Sequence, residues 1–467
     1  MRINTLYLPG FSHRLCGRRS EKAAGELIKS SFKLDGLAEL VARYVPMGLF
    51  EGVDQRRRIY PGWVCFCAFF GQVLNRGASC RDAVRRVQAW YLAIGARVSV
   101  DSGTGGYSQA RKRLGLESLH RVFECLGQYC QSHSSAQSWQ GRTVKVVDAC
   151  GLSMPDTKAN RARFAYAPGQ KEGCGFPTGK FAGLFSLATG HLVRFATCSW
   201  EAGDALLARQ LIGWVQPGEV VLADRGFCSW LLIALFKRKG VDVVMRLHHR
   251  RKAAVGSSVW SKPQRQGKWD KALWEELPEQ LNVRVVRFKI EVPGFRTECI
   301  EVVTTLLDEE AYPDSAIADL FRRRWQVEIN LRDIKTTLGL DVLRTQTPEM
   351  IDKEIYLQAI AYNLVRALML DAARADPVRP ARLSFKGTIS ALRAFAPLFA
   401  ASRQKAAQNF ETLLLVIAAD PVPDRPDRVE PRAVKRRSKS YPRLNRPRHL
   451  MRVKRFRRAK QTIEPLN

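Results

Sequence analysis

Through the first 130 residues apolar positions recur every three or four residues, the spacing of helices that bury one face. Leu34 to Tyr44, Gly62 to Leu74, Arg81 to Ile94 and Ser108 to Tyr129 carry it. A turn-rich joint, Asp101-Ser102-Gly103-Thr104-Gly105-Gly106, separates the last two. From about residue 140 the pattern changes to short β-branched and apolar runs, which predict strands at Thr143 to Asp148, Phe181 to Ala188, Leu192 to Thr197 and Glu219 to Asp224. A helical stretch, Asp204 to Val215, separates the last two strands. Further strands are expected at Val241 to Leu247, Val283 to Val292 and Cys299 to Leu307, and helices from about Pro348 to Ala372 and from Ala381 to Leu398.

A chain of 467 residues is long enough for two or three structural units. Strands, a helix, a strand ending in Asp and a late helix bearing Glu follow one another in the order of an α/β, RNase H-like core. Far more chain separates Asp224 from Glu328 than separates Asp148 from Asp224, so an insertion interrupts that core. The expected organisation is a helical N-terminal region at 1–139, the first part of the core at 140–235, a β-rich insertion subdomain at 236–310, the second part of the core with the Glu-bearing helix at 311–420, and a basic tail at 421–467. The tail holds Lys435-Arg436-Arg437 and the run Arg452 to Lys460, and its composition is that of a segment disordered when alone.

Charge narrows the class of partner. Lys and Arg number 76 against 44 Asp and Glu, a formal net charge of +32, in a chain that is 46% hydrophobic. Folded domains with that excess of cations suit a polyanion, and nucleic acid is the expected one. No apolar run reaches the length of a membrane span, and Met1 to Ser20 lacks the apolar stretch of a signal peptide. The eleven Cys have no paired spacing, so neither disulfides nor a zinc site is expected. A reducing cytoplasm is the consequent expectation.

The candidate chemistry centres on Glu328. At 100° per residue, with Glu328 at zero, Phe321 falls at about +20°, Arg324 at about −40° and Lys335 at about −20°. One strip of helix then carries a carboxylate bracketed by two cations and a ring, where a strip facing the core would hold Leu and Ile. Asp148 and Asp224 each end a predicted strand. Carboxylates at strand ends and on a packed helix are a common way to hold two divalent metals for phosphoryl transfer, and oxygen-only ligands favour Mg²⁺ or Mn²⁺. Asp156 competes for the first position, but its neighbours Pro155 and Thr157 suit a turn or cap.

The spacing Tyr-x2-Arg-x3-Glu-x6-Lys is the signature of the DDE transposases of the insertion-sequence family numbered four. This chain resembles it at Arg324, Glu328 and Lys335, with Phe321 in place of Tyr. Ala223-Asp224-Arg225-Gly226-Phe227 resembles that family's second-Asp motif, and Asp148-Ala149-Cys150-Gly151-Leu152 its first, with Ala in the Gly position. The likeness runs from about Asp148 to the C-terminal tail. It implies catalytic, metal-binding Asp148, Asp224 and Glu328, two Mg²⁺ or Mn²⁺ ions, and DNA contacts from Phe321, Arg324 and Lys335. It also implies cut-and-paste transposition by end cleavage and strand transfer, with terminal inverted repeats and target DNA as double-stranded partners and a homodimer at the paired ends. A catalytically inactive DNA-binding derivative and an RNase H-like nuclease are the alternatives.

Arg111 and Arg113 lie in Ser108-Gln109-Ala110-Arg111-Lys112-Arg113-Leu114, a basic turn that resembles an Ala-x-x-Arg-Leu stretch in the family's DNA-binding region. Arg81, Arg85 and Arg86 form a second basic face. In related enzymes an aromatic of the insertion stacks on a flipped base. Trp260, Trp269 and Trp274 fall in this chain's insertion, with ordinary packing the stronger expectation for each. The loop Gly169 to Gly179 followed by Lys180 fails as a nucleotide-binding loop, because its spacing is one residue short and Phe181 stands where Ser or Thr is needed.

Overall fold

The computed structural model describes residues 40–50, 59–93, 100–132, 139–167, 169–170, 173–200, 204–248, 253–265, 269–289, 299–375, 380–401, 405–423, 446–447 and 450. Most of the basic tail and the start of the chain, including Leu34 to Glu39 of the first expected helix, therefore lie outside the described residues. Helices α1 (Gly62–Leu74), α2 (Cys80–Ala93), α3 (Gly105–Arg113) and α4 (Leu116–Ser132) come first, close to the sequence expectation. Strands β1 (Val144–Ser153), β2 (Thr178–Ser186) and β3 (Leu192–Ser199) follow, then helix α5 (Asp204–Leu211), β4 (Val220–Ala223), helix α6 (Trp230–Arg238) and β5 (Asp242–Arg246). Strands β6 (Gly256–Ser261), β7 (Gln280–Lys289) and β8 (Cys299–Thr304) lead to helices α7 (Asp314–Arg323) and α8 (Trp325–Arg332). The last helices are α9 (Pro348–Ala375), α10 (Phe385–Ala401) and α11 (Ala406–Ala418).

Two compact units result, one of residues 1–134 with 352–423 and the other of 135–351 with 424–467. The sequence order assigned the late helices to the second half of the core; their residues from 352 onward are built into the helical unit instead. The reason is the apolar surface of α9. Ile355, Leu357, Ala361, Leu364, Val365 and Leu368 are all at or below 1% exposure, and a helix buried along so much of its length lies inside a core rather than on a surface. Lys353, also buried, donates to the carbonyls of Lys112 and Arg111 and so caps the C-terminal end of α3.

In the other unit the strands form one sheet in the order β3-β2-β1-β4-β5-β8-β7-β6. Strands β1, β2 and β3 are antiparallel neighbours, while β4 and β5 run parallel to β1. An antiparallel meander followed by two parallel strands is the arrangement of an RNase H-like core. Val241 to Leu247, read from sequence as the first strand of the insertion, supplies β5 of this core. The remaining insertion strands do not form a separate sheet: β8 pairs with β5, and β7 and β6 extend the same ladder.

One face of the sheet carries Val147, Leu184, Val221, Ala223, Val243 and Met245, packed with Leu207, Leu211, Leu232, Ile233 and Phe236 from α5 and α6. Ser229 starts α6 by accepting the amide of Leu232. The opposite face presents Val146, Leu222 and Val244, all fully buried, on the side where α7 meets β7 and α8 meets β1.

Candidate active site

The two Asp residues are set side by side by strand register. Val147 pairs with Ala223 as the last rung of the parallel β1–β4 ladder, so Asp148 and Asp224 form the next row, on the face opposite the α5–α6 core. Neighbouring strands lie about 4.8 Å apart, which puts both carboxylates at one edge of the sheet. The sequence ended the first strand at Asp148, yet β1 continues to Ser153 against β2, with Asp148 opposite Gly183. The acid therefore stands where one neighbour strand stops and the other goes on.

Ala149 in the family's Gly position introduces no backbone conflict. It lies in regular strand paired with Ala182, and Gln140 is the only non-Gly residue among those described with positive φ. Its amide donates to Asp148 Oδ1 at 2.8 Å.

Glu328 is brought to this edge by α8. Burial first, then the charges of Glu328 and Asp224, push the Asp148 carboxyl up to about 6, against the opposing pull of the Ala149 amide and the Arg324 guanidinium. Four charged groups thus act on one another at the same edge, which sequence spacing alone left as three separate motifs. Asp224 Oδ1 is buried, and among the described residues no group donates to it. An orphaned carboxylate oxygen beside two further acids is a donor set that fits a hard cation. Among the described residues, no three His, Cys, Asp or Glu side chains are drawn together tightly enough to hold one.

Arg324 is buried, with its Nη2 donating to Glu328 Oε1 at 3.1 Å, and its guanidinium lies 5.3 Å from the centre of the Phe321 ring. Phe321 is 1% exposed and meets Phe288 of β7 at 6.3 Å between ring centres. This corrects the expectation of a ring offered to DNA. Phe321 packs in the core and supports Arg324 from behind, because its position on α7 faces the sheet.

The single strip expected from Phe321 to Lys335 is also broken twice. At Arg324 the helix tightens through bonds of i to i+3 type, Arg324 N to Phe321 O and Val327 N to Arg324 O. At Asp333–Thr337 it widens into a π-helical turn closed by Leu338 N to Asp333 O, a feature that recurs at functional sites. Gly339, with φ of 92°, then ends the helix as its sequence position implies. The π turn carries Lys335 off the ideal strip toward β1. There its charge acts on Cys150, whose thiol burial pushes up to about 12.

Asp156, the competing first acid, is occupied. It accepts from Arg161 at 2.9 Å and from Tyr166 at 2.7 Å, beside the helix capped by Thr157. The three tryptophans of the insertion pack as the stronger expectation held. Trp274 is buried 5.7 Å from Trp230, and Trp260 and Trp269 lie against the α5–α6 core.

In the helical unit the basic turn of α3 divides. The Arg111 guanidinium is drawn over the rings of Phe69 and Tyr107, at 4.9 and 5.0 Å, whereas Lys112 and Arg113 are exposed. Arg111 is thus a packing residue in this structure, and Arg113 retains an open surface. On α2, Arg81 and Arg85 are exposed while Arg86 turns in to the carbonyl of Gly71.

Residues 139–364 match the family described as Transposase DDE domain, a span that holds both Asp motifs and the Glu328 helix. Over 405 residues the chain is 27% identical to Transposase InsG for insertion sequence element IS4 of Escherichia coli strain K12, covering 84% of this chain and 88% of that relative. The chain carries a DDE transposase domain and is similar along most of its length to an IS4 transposase. The chain is also 34% identical over 70 residues to the transposase for insertion sequence element IS421 of Escherichia coli, a match to 15% of the chain and 18% of the relative. A solved piggyBac transposase synaptic complex with hairpin DNA is similar over 87% of each chain at 11% identity, with a TM-score of 0.41. Among the described residues no helix is long and apolar enough to cross a membrane.

Proposed function

We propose that this transposase cuts and rejoins DNA at the edge formed by Asp148, Asp224 and Glu328. The observation that carries the reading is that Asp148 and Asp224 each follow the last paired rung of β1 and β4, with Asp224 Oδ1 unpartnered among the described residues and the charge of Glu328 acting on Asp148. A carboxylate kept for structure is ordinarily hydrogen-bonded when buried. One kept open at a strand edge, beside two more acids, suits ligation of a cation. Two divalent ions, Mg²⁺ or Mn²⁺, held by Asp148, Asp224 and Glu328, would supply Lewis-acid charge to the attacking and leaving oxygens of an in-line displacement.

The chain's own side chains do the rest. Arg324 fixes the Glu328 carboxylate through its 3.1 Å bond and offsets negative charge at the row, while Phe321 holds the guanidinium from behind. Lys335 supplies a flexible cation on the β1 side for a phosphate beside the scissile bond. Water and then the DNA's own 3′-hydroxyl are the attacking groups, so no protein nucleophile is required. The substrates on this reading are the element's terminal inverted repeats and a target duplex, engaged by a homodimer in the cytoplasm. Exposed Arg113, Arg81 and Arg85 contribute phosphate contacts from the helical unit.

Donor DNA with 3′-hydroxyl ends, a supercoiled target and Mg²⁺ or Mn²⁺ test the proposal. Covalently joined products are expected. Cutting without joining would mark a nuclease on the same scaffold.

A further inference from the structure

The register row that aligns the two Asp residues has a third member. Ala223 pairs with Met245 as it does with Val147, so the residues that follow this last rung, Asp148, Asp224 and Arg246, are neighbours where the parallel pairing of β1, β4 and β5 ends. Successive side chains of a strand alternate in face, so all three leave the sheet opposite the α5–α6 core. Arg246 is fixed there from its other side by pairing with Val302 of β8. It is half-exposed, and among the described residues it has no hydrogen-bond or ion-pair partner. It does not bond Asp224 Oδ1 either, which meets no donor among the described residues.

We propose that Arg246 is a phosphate-binding residue of this centre, the cation on the β5 side of the carboxylate row. The inference rests on the transposase reading of the same site. Three carboxylates at one edge repel the DNA backbone, and the chain must offset them on both sides of the scissile phosphate. Arg324 is buried and bonded to Glu328. Lys335 lies toward β1, where it acts on Cys150. The β5 side is left to Arg246, whose planar fork suits two oxygens of one phosphate. A backbone gripped by Lys335 at one end and Arg246 at the other runs along the row, from β5 across β4 to β1.

The test compares wild type, Arg246→Gln and Arg246→Lys for binding of a labelled duplex with a 3′-hydroxyl end in Ca²⁺, across a salt series, with melting temperatures in parallel. Arg246→Gln should bind roughly tenfold more weakly, with a salt slope lower by about 1 and an unchanged melting temperature, and Arg246→Lys should recover part of the affinity. Binding by Arg246→Gln within twofold of wild type overturns the proposal. So does a loss of binding in both variants that tracks a fall in melting temperature, which would make Arg246 structural. Cutting of the same duplex by wild type in Mg²⁺ is read separately and decides the transposase chemistry, whichever way the affinity comparison falls.

Discussion

The strands β1, β4 and β5 carry charge at both ends, and the two ends are built oppositely. At the end where the parallel strands begin, Arg142 meets Asp242 at 2.8 Å, Lys145 meets Glu219 at 2.7 Å, and Thr305 donates to Asp242 at 2.7 Å. Every acid there has a cation or a hydroxyl in contact. At the end where they finish, Asp148, Asp224 and Glu328 share one bonded cation, Arg324, and an oxygen of Asp224 has no partner. The same backbone thus supports a closed ionic network and an open one. Closure serves folding, because a buried charge left unpaired is costly. Openness lowers stability and leaves oxygens free to ligate.

The largest effect expected from this contrast is on activity. Asp224→Asn should reduce DNA cleavage about a thousandfold or more without lowering the melting temperature. Asp242→Asn should instead lower stability, by about 1–3 kcal/mol, because it removes the carboxylate charge that Arg142 and Lys237 meet, and leave the cleavage chemistry of the folded fraction intact. A stability loss in Asp224→Asn matching that of Asp242→Asn would erase the distinction between the ends.

Arg324→Ala comes next, with cleavage falling about a hundredfold. Because the guanidinium pulls the Asp148 carboxyl down, the acid limb of the pH–rate profile should also move to higher pH. Loss of activity with an unmoved acid limb would assign Arg324 to DNA contact alone.

The pH dependence of stability sharpens the comparison further. The folded Asp148 carboxyl titrates near 6, above its unfolded value, so between about pH 4 and 6 the folded state holds the extra proton. Metal-free protein should therefore lose stability as pH rises through that window, by about 2–3 kcal/mol from this group. Asp148→Asn should flatten the loss, and denaturant unfolding at several pH values measures it. An unchanged slope in Asp148→Asn would show that the acid is not withdrawn from water.

The smallest effect concerns Phe321. Since the ring is buried against Phe288 rather than offered to DNA, Phe321→Tyr should change cleavage rate and DNA affinity by less than about threefold. A larger gain would return a direct DNA contact to this position.

Much of the site was legible because its parts obey local rules. The acids at strand ends, the Arg324-to-Glu328 spacing of four, the Gly339 stop and the competing turn at Asp156 all follow from patterns within a few residues. What escaped depends on non-local pairing. Arg246 carries no motif, and only the pairing of Met245 with Ala223, one residue before it and Asp224, gives it a place beside the acids. Strand Val241 to Leu247 reads the same whether it opens an insertion or completes a core, and its parallel pairing with β4 decides for the core. The helical wheel failed at Arg324 and at Asp333–Thr337 because it assumes one uniform pitch. Arg111 looked like a phosphate contact until two rings from its own unit claimed it.

The central claim is that three carboxylates at one sheet edge form a metal-dependent cutting centre. Its most direct test measures strand cleavage of the element's own flanking DNA by wild type and Glu328→Gln, in Mg²⁺, in Mn²⁺ and in chelator. Cuts at the element ends are expected from wild type in either metal, none in chelator, and none from Glu328→Gln, although both proteins bind the DNA. Equal cutting by Glu328→Gln, or binding without cutting by wild type in either metal, would contradict it.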